Sequence, residues 1–235
     1  MVSWAPDLGS IGGETLKSTV FFDLDGTLTD PRPGIVRSIQ HALVVLDQPV
    51  PAEADLLWCI GPPLRASFIT LLGGEDQADA AVASYRERFA DVGLYENRVY
   101  AGIQEVLQHL REQDRELHVA TSKPHVYAER IVEHFGLRDY FGRVFGSELS
   151  GERTDKTDLL SYAITEAGCR PGSTLMIGDR SHDIVGARNN GIDGIGVLYG
   201  YGSREELEAA GAVSIVARTS ELRGVLVTDD QEIPG

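Results

Sequence analysis

Five consecutive residues, Asp23-Leu24-Asp25-Gly26-Thr27, carry the densest chemistry in this chain. The apolar run Val20-Phe21-Phe22 precedes them and reads as a short buried strand. Two carboxylates on alternate residues then stand at the strand's end, followed by a glycine that can turn the chain sharply. Carboxylates are costly to bury unless they are paired, hydrogen-bonded or bound to a metal. A pair at the mouth of a core strand points to metal-assisted chemistry, with one carboxylate free to attack. Taken alone, an Asp-x-Asp after apolar residues is most often a turn. The assignment therefore depends on what the rest of the chain brings beside it.

Two further predicted strands end in polar chemistry. Leu117 to Ala120 leads into Thr121 and Ser122, and Thr174 to Ile177 leads into Gly178 and Asp179. Around them, strands and helices alternate. Ile103, Val106, Leu107 and Leu110 mark an amphipathic helix. Helices are expected over Pro124–Phe135, stopped by Gly136, over Lys156–Ala167, ended by Gly168, and from about Asp183 to Asn190, stopped by Gly191. Val144-Phe145, Ile195–Leu198 and Val213–Val216 read as further strands, and Ser203 with Glu206 reads as a capping box for one more helix. The expected fold is α/β: a doubly wound, mostly parallel sheet with helices on both faces. Such sheets bind ligands beyond the carboxyl ends of their strands. Parallel, adjacent strands would bring the three polar strand ends to one rim.

The first strand is separated from the rest by a different kind of sequence. Pro31-Arg32-Pro33-Gly34 is a strong break. Three helix candidates come next: one on Ile35, Ile39, Leu43 and Leu46, one on Leu64, Phe68, Leu71 and Leu72, and one over Ala78–Ala90. No strand is evident from Gly34 to Val92. The expected organisation is a loose tail over 1–14, a core made of 15–31 and 99–235, and an inserted all-helical cap over 32–98 that sits above the rim.

Composition narrows the function. Among 235 residues, 21 Lys and Arg face 36 Asp and Glu, a net charge of −15. This argues against a nucleic-acid polymer or an anionic membrane as partner. A small phosphorylated substrate is compatible, because a few local cations can reverse the field within a pocket. Cys59 and Cys169 form neither a disulfide framework nor a zinc-ligand spacing, which fits a reducing cytoplasm. No apolar run approaches the roughly 18 residues that span a bilayer, and the Gly-rich start does not read as a signal peptide. Monomer and homodimer both stay open.

The residues that carry the chemistry resemble, in order and spacing, the four motifs of the haloacid dehalogenase superfamily. They are Asp23-Leu24-Asp25-Gly26-Thr27, Thr121-Ser122, Lys156 and Gly178-Asp179-Arg180-Ser181-His182-Asp183. The resemblance covers Thr19 to about Ala217, and the helical insertion is similar to that superfamily's small helical cap. Ala120-Thr121-Ser122-Lys123-Pro124 and Gly200-Tyr201-Gly202-Ser203 resemble its phosphoglycolate phosphatase branch. Ile60-Gly61-Pro62-Pro63-Leu64 and Gly93-Leu94-Tyr95-Glu96-Asn97 resemble bacterial 5′-nucleotidases.

The resemblance implies a phosphomonoester hydrolase that uses Mg²⁺. A phosphomonoester near neutral pH carries close to two negative charges and repels an anionic nucleophile. A Mg²⁺ ion held by Asp23, by the backbone carbonyl of Asp25 and by Asp179 would offset that repulsion. Asp23 is then the nucleophile, and Asp25 the acid and later the base, provided that burial and nearby carboxylates raise its pKa. Lys156, the Thr121 hydroxyl and backbone N–H groups near Leu24 and Ser122 would hold the phosphoryl oxygens. Asp183 would stand behind them, orienting Lys156 or a metal-bound water. Thr27 stands where sugar mutases of the superfamily carry an apolar residue, and Gly178 where they carry an acid, so hydrolysis is favoured over phosphoryl return. A dehalogenase would lack Asp25.

Each residue also has a plainer reading. Thr121 or Ser122 could cap a helix, Lys156 could be a solvated helix lysine, and Asp183 could cap the helix it begins. Lys123 could guide the substrate or simply face solvent, and Arg65 could point from the cap towards substrate or lie on a helix surface. Arg180 and His182 read as loop residues, and no histidine shows a ligand pattern. Cys59 and Arg65 have the spacing of cysteine-dependent tyrosine phosphatases, but Pro62 and Pro63 remove two backbone donors that such a phosphate cradle needs. Cys59 is expected to pack in the cap with Trp58, and Tyr199 and Tyr201 are expected to be packing residues. Outside enzymes, the competing reading is a phosphate-sensing or partner-binding protein on the same fold.

Overall fold

The computed structural model describes residues 18–226. The tail expected over 1–14 lies outside the described residues. The sheet is built from β1 (Thr19–Phe22), β4 (Glu116–Pro124), β5 (Arg143–Ser147), β6 (Thr174–Gly178), β7 (Asp193–Val197) and β8 (Ser214–Val216). Their order is β5-β4-β1-β6-β7-β8, and every pairing is parallel. β1 lies in the interior of the sheet, and its four residues are all buried. Side chains alternate across its two faces, as period two requires. Val20 and Phe22 join the larger core, whereas Phe21 joins a second core with Leu159, Leu160 and Met176. Burying each of these phenyl rings contributes roughly 2–3 kcal/mol.

Helices cover both faces. α4 (Ile103–Glu112) and α5 (His125–His134) bury their apolar stripes in the larger core. α6 (Lys156–Ala167) and α7 (Ser181–Asn189) contribute to the second. α8 (Arg204–Ala210) packs against α7, and α9 (Leu222–Leu226) packs near α4. Ser203 caps α8 through its side-chain oxygen, which accepts the Glu206 N–H. Among the described residues, no helix is long and apolar enough to cross a membrane.

Register places the strand ends together. Phe22 lies opposite Val119 on one side and Ile177 on the other. The Asp23 N–H continues the ladder by donating to the Ile177 carbonyl at 2.9 Å. Asp23, Thr121 and Asp179 thus emerge on the same rim, where the chain order reverses on either side of β1.

The insertion leaves and re-enters the core through a two-strand antiparallel ribbon, β2 (Thr29–Asp30) with β3 (Arg98–Val99). These two-residue strands are too short for a periodicity to reveal. Between them lie α1 (Arg32–Val45), α2 (Leu64–Leu72) and α3 (Ala78–Arg88), with α1 and α2 both packed on α3. The expected third helix ends at Arg88 rather than at Ala90, because the chain widens into one π turn over Phe89–Gly93. Gly34 is needed there, since an added Cβ would run into the Gly93 carbonyl. Two other boundaries move. β4 runs on to Pro124 through a register shift after Thr121, and α7 begins at Ser181. Cys59 is buried as expected, but Trp58 is 41% exposed and does not pack with it in the interior.

Candidate active site

Lys156 organises the rim. It is the first residue of α6, whose N-terminus is fixed by Asp155: that carboxylate accepts the N–H groups of Thr157 (2.8 Å) and Asp158 (3.3 Å). The lysine side chain is then directed inwards and is 1% exposed. Its ammonium donates to Asp23 Oδ1 and to the Ala120 carbonyl, both at 2.8 Å, and pairs with Asp183 Oδ1 at 2.7 Å. Two hydrogen bonds and one ion pair thus compensate the buried ammonium, although Asp183 Oδ1 itself accepts no hydrogen bond. Gly186 in α7 makes room, because an added Cβ would come within 2.8 Å of Lys156 Cγ.

Asp23, Asp179 and Asp183 form a buried acidic cluster in which one oxygen from each lies within 4.8 Å of the others. Asp179 comes directly after β6, and its Oδ2 accepts the Tyr201 N–H at 2.8 Å. Its Oδ1 is buried without a partner. Gly26 (φ +87°) and Gly200 leave space for this carboxylate, since a Cβ at either position would run into it. Gly178 does the same for Asp183. Asp183 Oδ2 accepts the Arg180 N–H at 3.1 Å, which closes the first turn of α7. The plain capping role and the site role of Asp183 therefore coexist on its two oxygens.

Three buried carboxylates face one ammonium. Burial, with Asp183 and Asp25 nearby and against the pull of Lys156, pushes the Asp23 carboxyl up to about 7. Burial and the charges of Asp183 and Asp23 push Asp179 well above the carboxylate range. Burial opposes the charged form of Asp183, but Lys156 outweighs it and holds the group low. Burial likewise opposes the Lys156 ammonium, yet its two carboxylate partners raise it above the ordinary lysine value. The cluster is short of positive charge and has an unpartnered Asp179 oxygen. A hard divalent cation fits this all-oxygen donor set.

The second carboxylate of the Asp-x-Asp pair points elsewhere. Asp25 Oδ2 pairs with Lys123 Nζ at 2.7 Å, and its Oδ1 is buried without a partner. Lys123 neither faces solvent nor reaches freely for substrate: its side chain is 6% exposed, and its ammonium lies 4.5 Å from the centroid of the Phe89 ring. The Thr121 hydroxyl accepts the Lys123 N–H at 3.2 Å. The Thr27 hydroxyl is buried without a partner, while the Thr27 carbonyl accepts the Tyr199 hydroxyl at 3.1 Å. A cavity of about 450 Å³ opens from Asp25, Ser122 and Lys123 towards the inserted helices. Arg65 lines it, but not as a free cation. Its Nε donates to Asp79 at 2.8 Å, an Nη lies 3.6 Å from Glu75, and the side chain is 47% exposed.

Two residues matter more than their sequence positions suggest. Arg180 is not a simple loop residue. Its guanidinium donates to the Ile60 carbonyl of the insertion (2.7 Å) and to Glu206 (3.0 Å). Gly61, at φ +104°, lets the two segments approach, because a Cβ there would meet the Arg180 side chain at 3.1 Å. Tyr201 does more than pack. Its N–H holds Asp179, and its hydroxyl bonds Asp30, which also pairs with Arg98 at 2.7 Å across the β2–β3 ribbon. The nearest sequence signal is adjacency: Arg180 is the residue next to Asp179, and Tyr201 lies in a Gly-rich loop. His182 lies in the first turn of α7.

With this geometry in hand, the chain can be set beside known proteins. The family described as "Haloacid dehalogenase-like hydrolase" matches residues 20–197. A 5′-nucleotidase of Pseudomonas aeruginosa is 48% identical over 208 residues, which is 88% of this chain and 94% of that protein. The tyrosine-protein kinase PtkA of Mycobacterium tuberculosis is 39% identical over 210 residues, 88% of this chain and 72% of that one. Among solved structures, a predicted phosphatase from Clostridium acetobutylicum superposes with a TM-score of 0.88 at 41% identity, covering 91% of this chain and 99% of that one.

Proposed function

The chain belongs to the haloacid dehalogenase-like hydrolase family and is a phosphoric monoester hydrolase, and from that premise we propose that it hydrolyses small phosphorylated metabolites with Mg²⁺ through an aspartyl phosphate on Asp23. The observation that carries this reading is the shared oxygen cluster. Asp23 is gripped on one oxygen by Lys156 and stands beside Asp179 and Asp183. Asp23, Asp179 and Asp183 would hold the ion, with the Asp25 main-chain carbonyl. Bound there, Mg²⁺ supplies the charge that offsets repulsion between the phosphoryl group and the attacking carboxylate.

The rest is done by the chain's own groups. Lys156 fixes one Asp23 oxygen, so the other is presented to phosphorus. An Asp23 O–P bond forms as the ester P–O bond breaks. Asp25 in its protonated form would give that proton to the leaving oxygen, becoming the carboxylate that later takes one from the water that cleaves the aspartyl phosphate. Lys123 holds Asp25 in place for both steps. The Thr121 hydroxyl and the Ser122 N–H would bind the phosphoryl oxygens, and closure of the inserted helices as a cap would exclude bulk water.

Phosphoglycolate and nucleoside 5′-monophosphates are the leading substrates, and sugar phosphates are the alternative. The likeness to PtkA makes the acceptor a point for experiment, so the assay must register inorganic phosphate rather than loss of substrate. Release of phosphate that depends on Mg²⁺, is lost in Asp23→Asn and leaves the circular dichroism spectrum unchanged is the expected result. Stable phosphorylation of Asp23 without turnover on any ester would instead favour a phosphate-sensing role.

A further inference from the structure

Asp179 is held by a loop that also grips the ribbon leading into the insertion. The loop follows β7, and its main chain lies against Asp179 on both sides of Tyr201. A Cβ on Gly200 would run into the Asp179 carboxylate and the Gly26 carbonyl, and one on Gly202 would run into the Asp179 carbonyl. Only glycine permits so close an approach on either side of Tyr201. The Tyr201 N–H thereby reaches Asp179 Oδ2 at 2.8 Å, and Asp179 Oδ1 keeps no hydrogen-bond partner.

The Tyr201 side chain runs the other way. Its hydroxyl bonds Asp30 in β2, a residue only 2% exposed. Burial and the Asp30 carboxylate push the phenol above its ordinary value, so it stays protonated and is the donor. Burial opposes the charged form of Asp30, but Tyr201, Arg98 and Arg32 outweigh it and hold the group low. Asp30 also accepts the Arg98 guanidinium at 2.7 and 3.1 Å and the Arg32 N–H at 3.2 Å. One carboxylate therefore fastens both strands of the ribbon, where Asp30 stands opposite Arg98. A hydroxyl bonded to a carboxylate makes one of the stronger kinds of hydrogen bond. Tyr199 braces the same loop: its hydroxyl reaches the Thr27 carbonyl at 3.1 Å, and its ring packs edge-on against Tyr100, the residue after β3. Phosphoryl transfer itself uses neither hydroxyl.

We propose, on the reading that the acidic cluster holds a cation, that Tyr201 is a positioning residue. Its hydroxyl, anchored on Asp30, sets the main-chain N–H that orients Asp179 towards the ion. Groups that orient a metal-binding side chain typically contribute about 10–100-fold to metal affinity. Coupling between two sites is reciprocal. Cation binding at Asp179 therefore also steadies the β2–β3 ribbon, and through it the inserted helices.

The test uses the full-length protein without substrate. The rise of Tm with MgCl₂ concentration gives the Mg²⁺ affinity of wild type and of Tyr201→Phe, which loses one oxygen and keeps the ring and the N–H. The variant should bind Mg²⁺ about tenfold more weakly. At MgCl₂ concentrations that saturate each protein, Mg²⁺ should slow cleavage between α1 and α2 by limited protease in wild type, and the variant should lose most of that protection. Equal affinities overturn the proposal, even with a lower Tm in chelator, because Tyr201 then supports only the fold. Asp30→Ala removes the other end of the bond. It should weaken Mg²⁺ binding by a similar factor, and the double variant should bind no more weakly than either single one. A double variant weakened by the product of the two factors overturns the route through Asp30. Should Asp30→Ala fail to fold, the comparison of wild type with Tyr201→Phe decides alone. Absence of any Mg²⁺ response in wild type ends the cation reading of the cluster, and this proposal with it.

Discussion

Lys156→Met removes the one ammonium that three buried oxygens share. The substitution keeps most of the side-chain volume, so packing against Gly186 is preserved and the change is electrostatic. Asp23 Oδ1 and the Ala120 carbonyl each lose a donor at 2.8 Å, and Asp183 Oδ1 loses its ion-pair partner at 2.7 Å. Removing one partner of a buried ion pair costs about 3–5 kcal/mol, because the remaining charge is left without compensation. For a chain of this size, about 1 kcal/mol moves Tm by roughly 2–4 °C, so a fall on the order of 10 °C is expected in chelator at pH 8. The acidic cluster then has more uncompensated charge than before, and a divalent cation should stabilise the variant more than the wild type. Thermal unfolding of both proteins with chelator and with excess Mg²⁺ reads this directly. Turnover should fall by about 10²–10³, the usual consequence of deleting one charged stabiliser of a transition state. An unchanged Tm in chelator, or an equal Mg²⁺ shift in both proteins, would refute the reasoning, because either means that Lys156 and the cation do not share one charge balance.

The same contacts predict the effects of other perturbations. The Asp23 carboxyl is raised in the fold to about 7 from 3.8, so the folded state binds its proton more tightly than the unfolded chain does. Its ionisation therefore destabilises the metal-free protein above about pH 7, and the penalty is relieved as pH falls towards 4, by up to about 4 kcal/mol. His118 and His182, lowered by burial, act in the opposite sense below about pH 6.5. The measurement is thus the difference in urea-unfolding stability between wild type and Asp23→Asn, in which the histidine contributions cancel; a difference that does not vary with pH counts against the Asp23 shift. Lys123→Met leaves Asp25 without its cation and should lower kcat about 10–100-fold with KM little changed, checked by steady-state kinetics. Gly178→Ala drives a methyl group into Asp183 and should reduce both Tm and turnover; a fully active, stable variant would show that Asp183 can move without consequence. Arg180→Ala removes the bond to the Ile60 carbonyl and should speed proteolysis between α1 and α2, seen as a shorter half-life of the intact chain under limited protease.

The legible parts of this fold share one property: the information lies within a few residues. The run Val20-Phe21-Phe22 announces its burial by composition, Gly136, Gly168 and Gly191 end their helices locally, and Ser203 caps its own turn. Asp23, Thr121 and Asp179 could be brought to one rim because parallel strands in adjacent register leave few other places for their ends. What could not be read is side-chain direction. Asp25 lies two residues from Asp23, yet it faces Lys123 while Asp23 faces Lys156. That divergence arises in the tight turn after β1, where the Gly26 N–H bonds the Thr29 carbonyl and the Leu28 and Thr29 N–H groups return to Leu24. Two cations show the same limit. Lys123 and Arg65 each had a solvent-facing or substrate-facing reading; Lys123 is buried against Asp25, whereas Arg65 stays half-exposed at the cavity and pairs with Asp79 of the next helix. Tyr201 is the extreme case. Its main chain holds Asp179 while its side chain holds Asp30 in the ribbon that leads to the inserted helices. One residue of a glycine-rich loop therefore ties the orientation of a cluster carboxylate to the position of the β2–β3 ribbon. Local pattern could mark the carboxylate separately, but its connection to the ribbon exists only once the sheet has set the loop above both.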